Sequence, residues 1–187
     1  MKILNRKSKD GRKNKFIYDF SIDHYKGFLG KFLYKVLNTI VKIGRLDERK
    51  SLKILDFGCG LKKLKPLINN YYIGYDINPE FTEIKDWRKT DFDIVVANSV
   101  FMYMTRKELK KFIAELHKKN PNVKLIFGVS KMNMLTKILK IVTGSTKSCA
   151  DVKMSYKEQL SVLTEYFEII DKKAIFGLND VYLMKFK

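Results

Sequence analysis

Ile54-Leu55-Asp56-Phe57-Gly58-Cys59-Gly60 is an apolar run that ends on an acid and a turn with two glycines. A short apolar strand that empties into such a turn reads as a buried parallel strand, because a strand covered on both faces loses the alternation of a half-exposed one. Glycine at 58 and 60 permits a tight turn and a close approach of backbone to whatever lies beyond the strand. Twenty residues after Asp56, the stretch Tyr72-Ile-Gly-Tyr75 ends on Asp76. A carboxylate at the end of a second strand accepts both hydroxyls of a ribose, so the turn and the acid together point to a nucleotide-type ligand.

Outward from this pair, strands alternate with helices. Phe92 to Ala97 is the clearest central strand, and Val123 to Val129 is the next. Between them, Thr105-Arg-Lys-Glu108 is a capping box that opens a helix to about Lys119, with Leu109, Phe112, Ile113 and Leu116 inward and Pro121 as its stop. A short helix is expected over 62–68 and a very short strand over 81–84. Ser155-Tyr-Lys-Glu158 is a second capping box, and Phe167 to Ile170, extended by Ala174 to Phe176, turns through Gly177-Leu-Asn-Asp180 into a final strand, Val181 to Phe186. This order predicts one α/β domain with a mostly parallel sheet and one antiparallel strand near its edge.

Two amphipathic segments flank that core. Over residues 23–44, Phe28, Leu29, Phe32, Leu33, Val36, Leu37, Ile40 and Val41 recur at helical spacing. Over 131–144, Met134, Leu135, Ile138 and Val142 stand opposite Lys131, Lys137 and Lys140, and a basic amphipathic helix placed over the strand ends is expected to act as a lid or to touch lipid. Residues 1–15 are basic with little to bury, which reads as a flexible tail ahead of a domain over 16–187.

The net charge is +18, carried by 38 basic residues of which 6 are Arg. Residues 1–50 and 51–147 each carry +9, and 148–187 are neutral. A polyanion or an anionic membrane surface is therefore a candidate partner for the N-terminal and middle faces, although base-specific recognition favours the planar Arg fork over Lys. Cys59 and Cys149 lack the spacing of a metal site, so no metal is expected and a reduced, cytoplasmic compartment fits. No run approaches the ~20 apolar residues that span a bilayer.

From about Leu52 onward, the order and spacing of these segments resemble the class I, Rossmann-like methyltransferases that use S-adenosyl-L-methionine. Ile54 to Gly60 is similar to that family's glycine motif, Tyr72-Ile-Gly-Tyr-Asp-Ile-Asn-Pro79 to its second-strand motif, and Asp91-Phe-Asp-Ile-Val-Val-Ala-Asn-Ser-Val100 to its fourth strand. The resemblance implies a seven-stranded twisted sheet of order 3-2-1-4-5-7-6, strand 7 antiparallel, strand 3 short, with helices on both faces. It implies that Asp56, Gly58, Cys59 and Gly60 cradle the methionine part of the cofactor, that Asp76 holds the ribose, and that Ile77 lies against the adenine. Asp86 and Trp87 are the candidates for the adenine amine and face, and Asn98 stands where the substrate or the methyl-bearing sulfur would lie. The sequence departs from the family at Lys62, where a third glycine is usual, and in the short segment from Asp76 to Asp93. A dinucleotide dehydrogenase would instead need glycine at 63, where Lys63 stands.

Methyl transfer from a sulfonium asks for alignment and exclusion of water more than for covalent help. His24 and Tyr25 are the candidates for lining the site or serving as base, with Asn98 and Tyr103 beside them, and Met102 and Met104 as walls; His117 reads as structural. The leading expectation is a methyltransferase for an oxygen or nitrogen of a small molecule, anionic or lipid-linked. A methyltransferase for tRNA, rRNA or another nucleic acid is the second, and a noncatalytic basic binding module with the same fold is the third.

Overall fold

The computed structural model describes residues 27–48, 51–131 and 152–187. The basic tail over 1–15, the start of the 23–44 helix, His24, Tyr25, Cys149 and all but the first residue of the expected 131–144 helix lie outside the described residues.

The chain runs α1 (Gly27–Gly44), β1 (Lys53–Phe57), β2 (Tyr71–Tyr75), β3 (Ile94–Asn98), α2 (Arg106–Lys119), β4 (Lys124–Ser130), α3 (Tyr156–Tyr166), β5 (Phe167–Ile175) and β6 (Asn179–Phe186), with single 3-10 turns at Lys65–Leu67, Trp87–Lys89 and Phe101–Tyr103. The strands form one sheet in the order β2-β1-β3-β4-β6-β5. β2, β1, β3 and β4 are parallel to one another, and β6 runs antiparallel to both β4 and β5.

Alternation along each strand divides the core in two. Leu55, Val95, Leu125, Phe127 and Tyr182 face α2 and α3, meeting Leu109, Phe112, Ile113, Val162 and Leu163. Ile54, Ile94, Val96, Ile126 and Val181 face α1, meeting Val36, Ile40, Val41 and Ile43. Both capping boxes form, each with the hydroxyl accepting from the N3 backbone and the N3 glutamate accepting from the cap. Helix α1 ends in a Schellman motif, with Leu46 N–H on the Val41 carbonyl at 2.9 Å and Arg45 N–H on the Lys42 carbonyl at 3.2 Å. Arg45, at φ 49°, takes the left-handed position that glycine usually fills.

Among the described residues the sheet has six strands where seven were expected, because 81–84 does not pair as a strand. A single glutamate occupies that edge of β2 instead. Glu83 donates its backbone N–H to the Gly74 carbonyl at 2.8 Å, and its carboxylate accepts the Gly74 N–H at 2.9 Å. With both ladder groups of Gly74 satisfied, the edge is closed at this position without a third strand. The helix expected over 62–68 shrinks to one 3-10 turn, which has Pro66 in its first positions and therefore lacks a donor there.

Candidate functional site

At the carboxyl end of β1 the backbone turns left-handed three times, at Gly58 (φ 77°), Gly60 (φ 46°) and Lys62 (φ 55°). The first two positions are glycines, for which this conformation carries no steric cost. Lys62 adopts in the third the backbone that the missing glycine would take, at a cost of about 1 kcal/mol.

This turn is clasped to the end of β2. The Gly58 and Cys59 N–H groups both donate to the Tyr75 carbonyl, at 2.8 and 3.1 Å. Asp76 Oδ2 accepts the Gly60 N–H at 2.9 Å, and Oδ1 accepts the Asn78 N–H at 2.9 Å. Each carboxylate oxygen keeps a second lone pair for a further donor. Ile77, next in the chain, is 88% exposed, an unusual position for a β-branched apolar side chain.

Asp56 lies under the turn, buried, with the Tyr72 hydroxyl donating to its Oδ2 at 2.8 Å. Burial pushes its carboxyl up to about 7; the Tyr72 hydrogen bond opposes that, and the charges of Asp76 and Glu83 reinforce it. The Tyr72 phenol is pushed up by its own burial and then by Asp56. The buried Cys59 thiol donates to the Phe81 carbonyl at 3.5 Å. Burial, then Asp56 and Asp76, raise it to about 12, which excludes a thiolate nucleophile at neutral pH.

Glu83 braces the turn from the side. Its Oε1 lies 2.8 Å from Lys65 Nζ and 3.4 Å from Lys62 Nζ, both just beyond the glycines. Burial pushes the Glu83 carboxyl up, but Lys65, the Gly74 N–H and Lys62 outweigh it and hold the group below its ordinary value. No periodicity marks this residue in the sequence; only the pairing of β1 with β2 brings it to the turn.

The neighbouring strand end completes the edge. Asn98 closes β3, its half-buried side chain lying over Gly128, where a Cβ would collide with its carboxamide oxygen. That oxygen is buried and has no hydrogen-bond partner, which leaves an acceptor for a donor from elsewhere. Ser99 follows at φ 57°, its N–H on the Gly128 carbonyl at 2.8 Å. Val100 then packs against the glycine turn, so closely that a Cβ on Gly58 would lie 2.5 Å from its Cγ2. Tyr103, half-buried, ends the 3-10 turn of Phe101–Tyr103. The Met102 carbonyl accepts from the N–H groups of Lys153 and Met154, tethering the approach to α3 at this edge.

Sequence reasoning placed Asp56, Gly58, Cys59, Gly60, Asp76 and Asn98 near one another, and they converge at the carboxyl edge. Asp86 and Trp87 are engaged in other contacts. Asp86 caps the turn at Trp87–Lys89 and grips Arg88 Nε at 2.7 Å. The Trp87 ring is 5% exposed, with its neighbours Phe112 at 5.3 Å and Phe57 and Phe92 at 6.1 Å between centroids. It is packed as a core ring. His117 is likewise remote, edge-on to Phe186 at 4.7 Å. Among the described residues, no group of three or more His, Cys, Asp and Glu is arranged to hold a metal, and no helix is long and apolar enough to cross a membrane.

No protein-family model matches the sequence, and no curated protein matches it. Solved structures do match the fold. The PH0226 protein of Pyrococcus horikoshii OT3 aligns at a TM-score of 0.64 with 15% identity, over 92% of this chain and 99% of that one. Magnesium protoporphyrin IX methyltransferase of Synechocystis PCC 6803, solved with S-adenosylhomocysteine (SAH) bound, aligns at 0.55 with 16% identity, over 87% of this chain and 89% of that one. The chain has the class I methyltransferase fold. The small RNA methyltransferase HEN1 shares it at a TM-score of 0.59 and 15% identity, with 82% of this chain matching 25% of that one. At these identities the methyltransferase fold is what is shared, and it has carried both porphyrin and RNA acceptors in these neighbours.

Proposed function

We propose that this chain is an S-adenosyl-L-methionine-dependent methyltransferase acting on an oxygen or nitrogen of a small acceptor, anionic or lipid-linked. The observation that carries the proposal is the joint between Asp76 and Gly60, which holds an acidic strand end and a left-handed glycine turn 2.9 Å apart at the carboxyl edge of the sheet. The residues present fit the cofactor. The turn at Gly58, Cys59 and Gly60 offers backbone to its methionine part, Asp76 retains lone pairs for ribose hydroxyls, and exposed Ile77 supplies an apolar surface for the adenine. The unpartnered oxygen of Asn98 suits the ammonium group of the methionine end or a donor on the acceptor. Asp86 is retained as a partner for the adenine amine; covering of the base by the Trp87 ring is not part of the proposal, since that ring packs in the core.

The cofactor, when bound, supplies a methyl group on a sulfonium, and in-line attack displaces the thioether. This chain's residues contribute position and exclusion of water. Asn98 and Tyr103 border the acceptor side, and His24 and Tyr25 are assigned there as lining groups or base. A small or lipid-linked metabolite is the first acceptor class. Nucleic acid is the second, favoured by the net charge of +18.

Isothermal titration with SAH at near-physiological salt tests the proposal. Binding is expected in the wild type and at least ten-fold weaker binding in Asp76→Ala. No binding by the wild type would leave a basic binding module with this fold.

A further inference from the structure

On the α1 side of the sheet, a groove of ≈ 560 Å³ runs between the second half of α1 and the end of β5. Lys35, Lys42 and Arg45 line one wall, and Lys173 and Asp171 the other. Four cations thus face one carboxylate, and that carboxylate already lies 3.4 Å from Lys173 Nζ. Helix α1 carries no acid at all between Gly27 and Gly44, and Lys35 and Lys42 stand two turns apart, about 10 Å along its axis. A row of cations at this spacing matches a polymer of negative charges better than it matches a single anion.

An aromatic ring closes one end. Phe176 follows β5 with φ 50°, lines the groove, and is 67% exposed. That φ, with Gly177 at φ 68° and the Leu178 N–H on the Ile175 carbonyl at 2.9 Å, is the geometry of the tight turn that joins β5 to β6. The Phe176 ring centroid lies 6.4 Å from that of Phe32, so the turn presents an open aromatic beside the cations. Aromatic rings along a basic groove are the means by which single strands are held: bases stack while the groove follows the phosphates. A bilayer, being flat, reaches the rim of a concave groove and not its floor.

In the sheet register the groove lies level with the proposed reaction edge. Asn98 pairs with Gly128, Gly128 with Val181, and Val181 with Lys173. The four residues form one row across β3, β4, β6 and β5, so three strand spacings, about 14 Å, separate Asn98 from Lys173.

We propose that the α1–β5 groove binds a single-stranded nucleic acid, with Lys35, Lys42, Arg45 and Lys173 on its phosphates and Phe176 stacked on a base. This deepens the nucleic-acid reading of the same edge and rests on it for the acceptor's identity; strand binding itself needs no cofactor.

The test is fluorescence anisotropy of a labelled twelve-residue oligouridylate with the full chain, without cofactor, between 50 and 200 mM salt. Lys35→Ala/Lys42→Ala/Lys173→Ala is expected to weaken binding at least ten-fold and to flatten the slope of log K against log salt by about 2, at ~0.7 for each cation on a single strand. Phe176→Ala is expected to weaken it about ten-fold, Phe176→Leu as much, and Phe176→Trp to restore it. Unchanged affinity in both the triple variant and Phe176→Ala would overturn the proposal. So would vesicles of anionic lipid binding the wild type but not these variants while the oligonucleotide binds them all. Since no cofactor is present, Asp76→Ala should bind the strand as the wild type does, which separates failure of this proposal from failure of methyl transfer.

Discussion

The half-buried Tyr72 donates its phenol to the buried Asp56 carboxyl at 2.8 Å, although burial still pushes that carboxyl up to about 7. The pair sits on adjacent parallel strands, directly beneath the glycine turn. It is a polar support inside an apolar layer, and its charge state depends on pH.

The folded Asp56 holds its proton to about 7, against 3.8 for an ordinary aspartate. Between those values the folded chain binds the proton and the unfolded chain does not, so this group's contribution to stability falls as pH rises through the window. The loss is on the order of 2–4 kcal/mol. Urea unfolding at pH 5 and pH 8 should show a lower stability at pH 8 in the wild type relative to Asp56→Asn, which keeps an acceptor for Tyr72 but does not ionise. A wild-type curve that gained on Asp56→Asn with rising pH would contradict the assignment.

Glu83 should be a positioning residue for the glycine turn. Glu83→Gln keeps an acceptor for the Gly74 N–H and gives up most of the attraction for Lys65 and Lys62, an ion pair that is part-exposed and therefore worth ~0.5–1 kcal/mol. Hydrogen exchange at the Gly74 amide is expected to stay slow in Glu83→Gln and to accelerate in Glu83→Ala, which leaves that N–H unpaired at a sheet edge. SAH should bind both variants several-fold more weakly. A variant with fast exchange at Gly74 and undiminished SAH affinity would show that the brace serves the edge alone.

Lys62 stands left-handed where a glycine would fit without strain. Lys62→Gly exchanges that strain for greater freedom of the unfolded chain and a lost part-exposed ion pair, terms of similar size and opposite sign, so stability is expected to change by less than ~1 kcal/mol. Lys62→Val places a β-branched side chain in the same backbone and should lower the melting temperature by about 2–4 °C for each kcal/mol of strain. Equal melting of the two variants would mean that the left-handed backbone is not maintained.

The sequence made the alternating strands and helices legible because their signals are local: apolar runs, helical periodicity and two capping boxes. The left-handed bends at Gly58 and Gly60 follow from residue type, whereas that at Lys62 does not, since lysine has no such preference. The closed edge of β2 was out of reach for a different reason. Glu83 does with one side chain what a strand would do, and that substitution exists only once Gly74 is in place beside it. Trp87 was ambiguous because a three-residue turn has no periodicity to say which face is inward; Phe57, Phe92 and Phe112 settle its packing through tertiary contact. Tyr72 and Asp56 lie sixteen residues apart and meet only through strand pairing.

Gly58 and Val100 provide the sharpest mutational test of the turn. Gly58→Ala brings two separate costs, a left-handed backbone at φ 77° and a Cβ 2.5 Å from Val100 Cγ2. The first is about 1–2 kcal/mol, and overpacking adds ~1–3 kcal/mol. Val100→Ala removes the Cγ2 that the new Cβ meets most closely, though the Cβ of residue 100, at 2.8 Å, stays, and it carries a small cavity cost of its own. The double variant is therefore expected to be more stable than the sum of the single losses predicts, by ~1–2 kcal/mol in a urea-unfolding double-mutant cycle. It should still fall short of Val100→Ala alone, because the backbone strain at position 58 remains. Strict additivity would mean that the turn and the segment after β3 are not in contact, and would remove the packing that holds the glycine turn at the carboxyl edge.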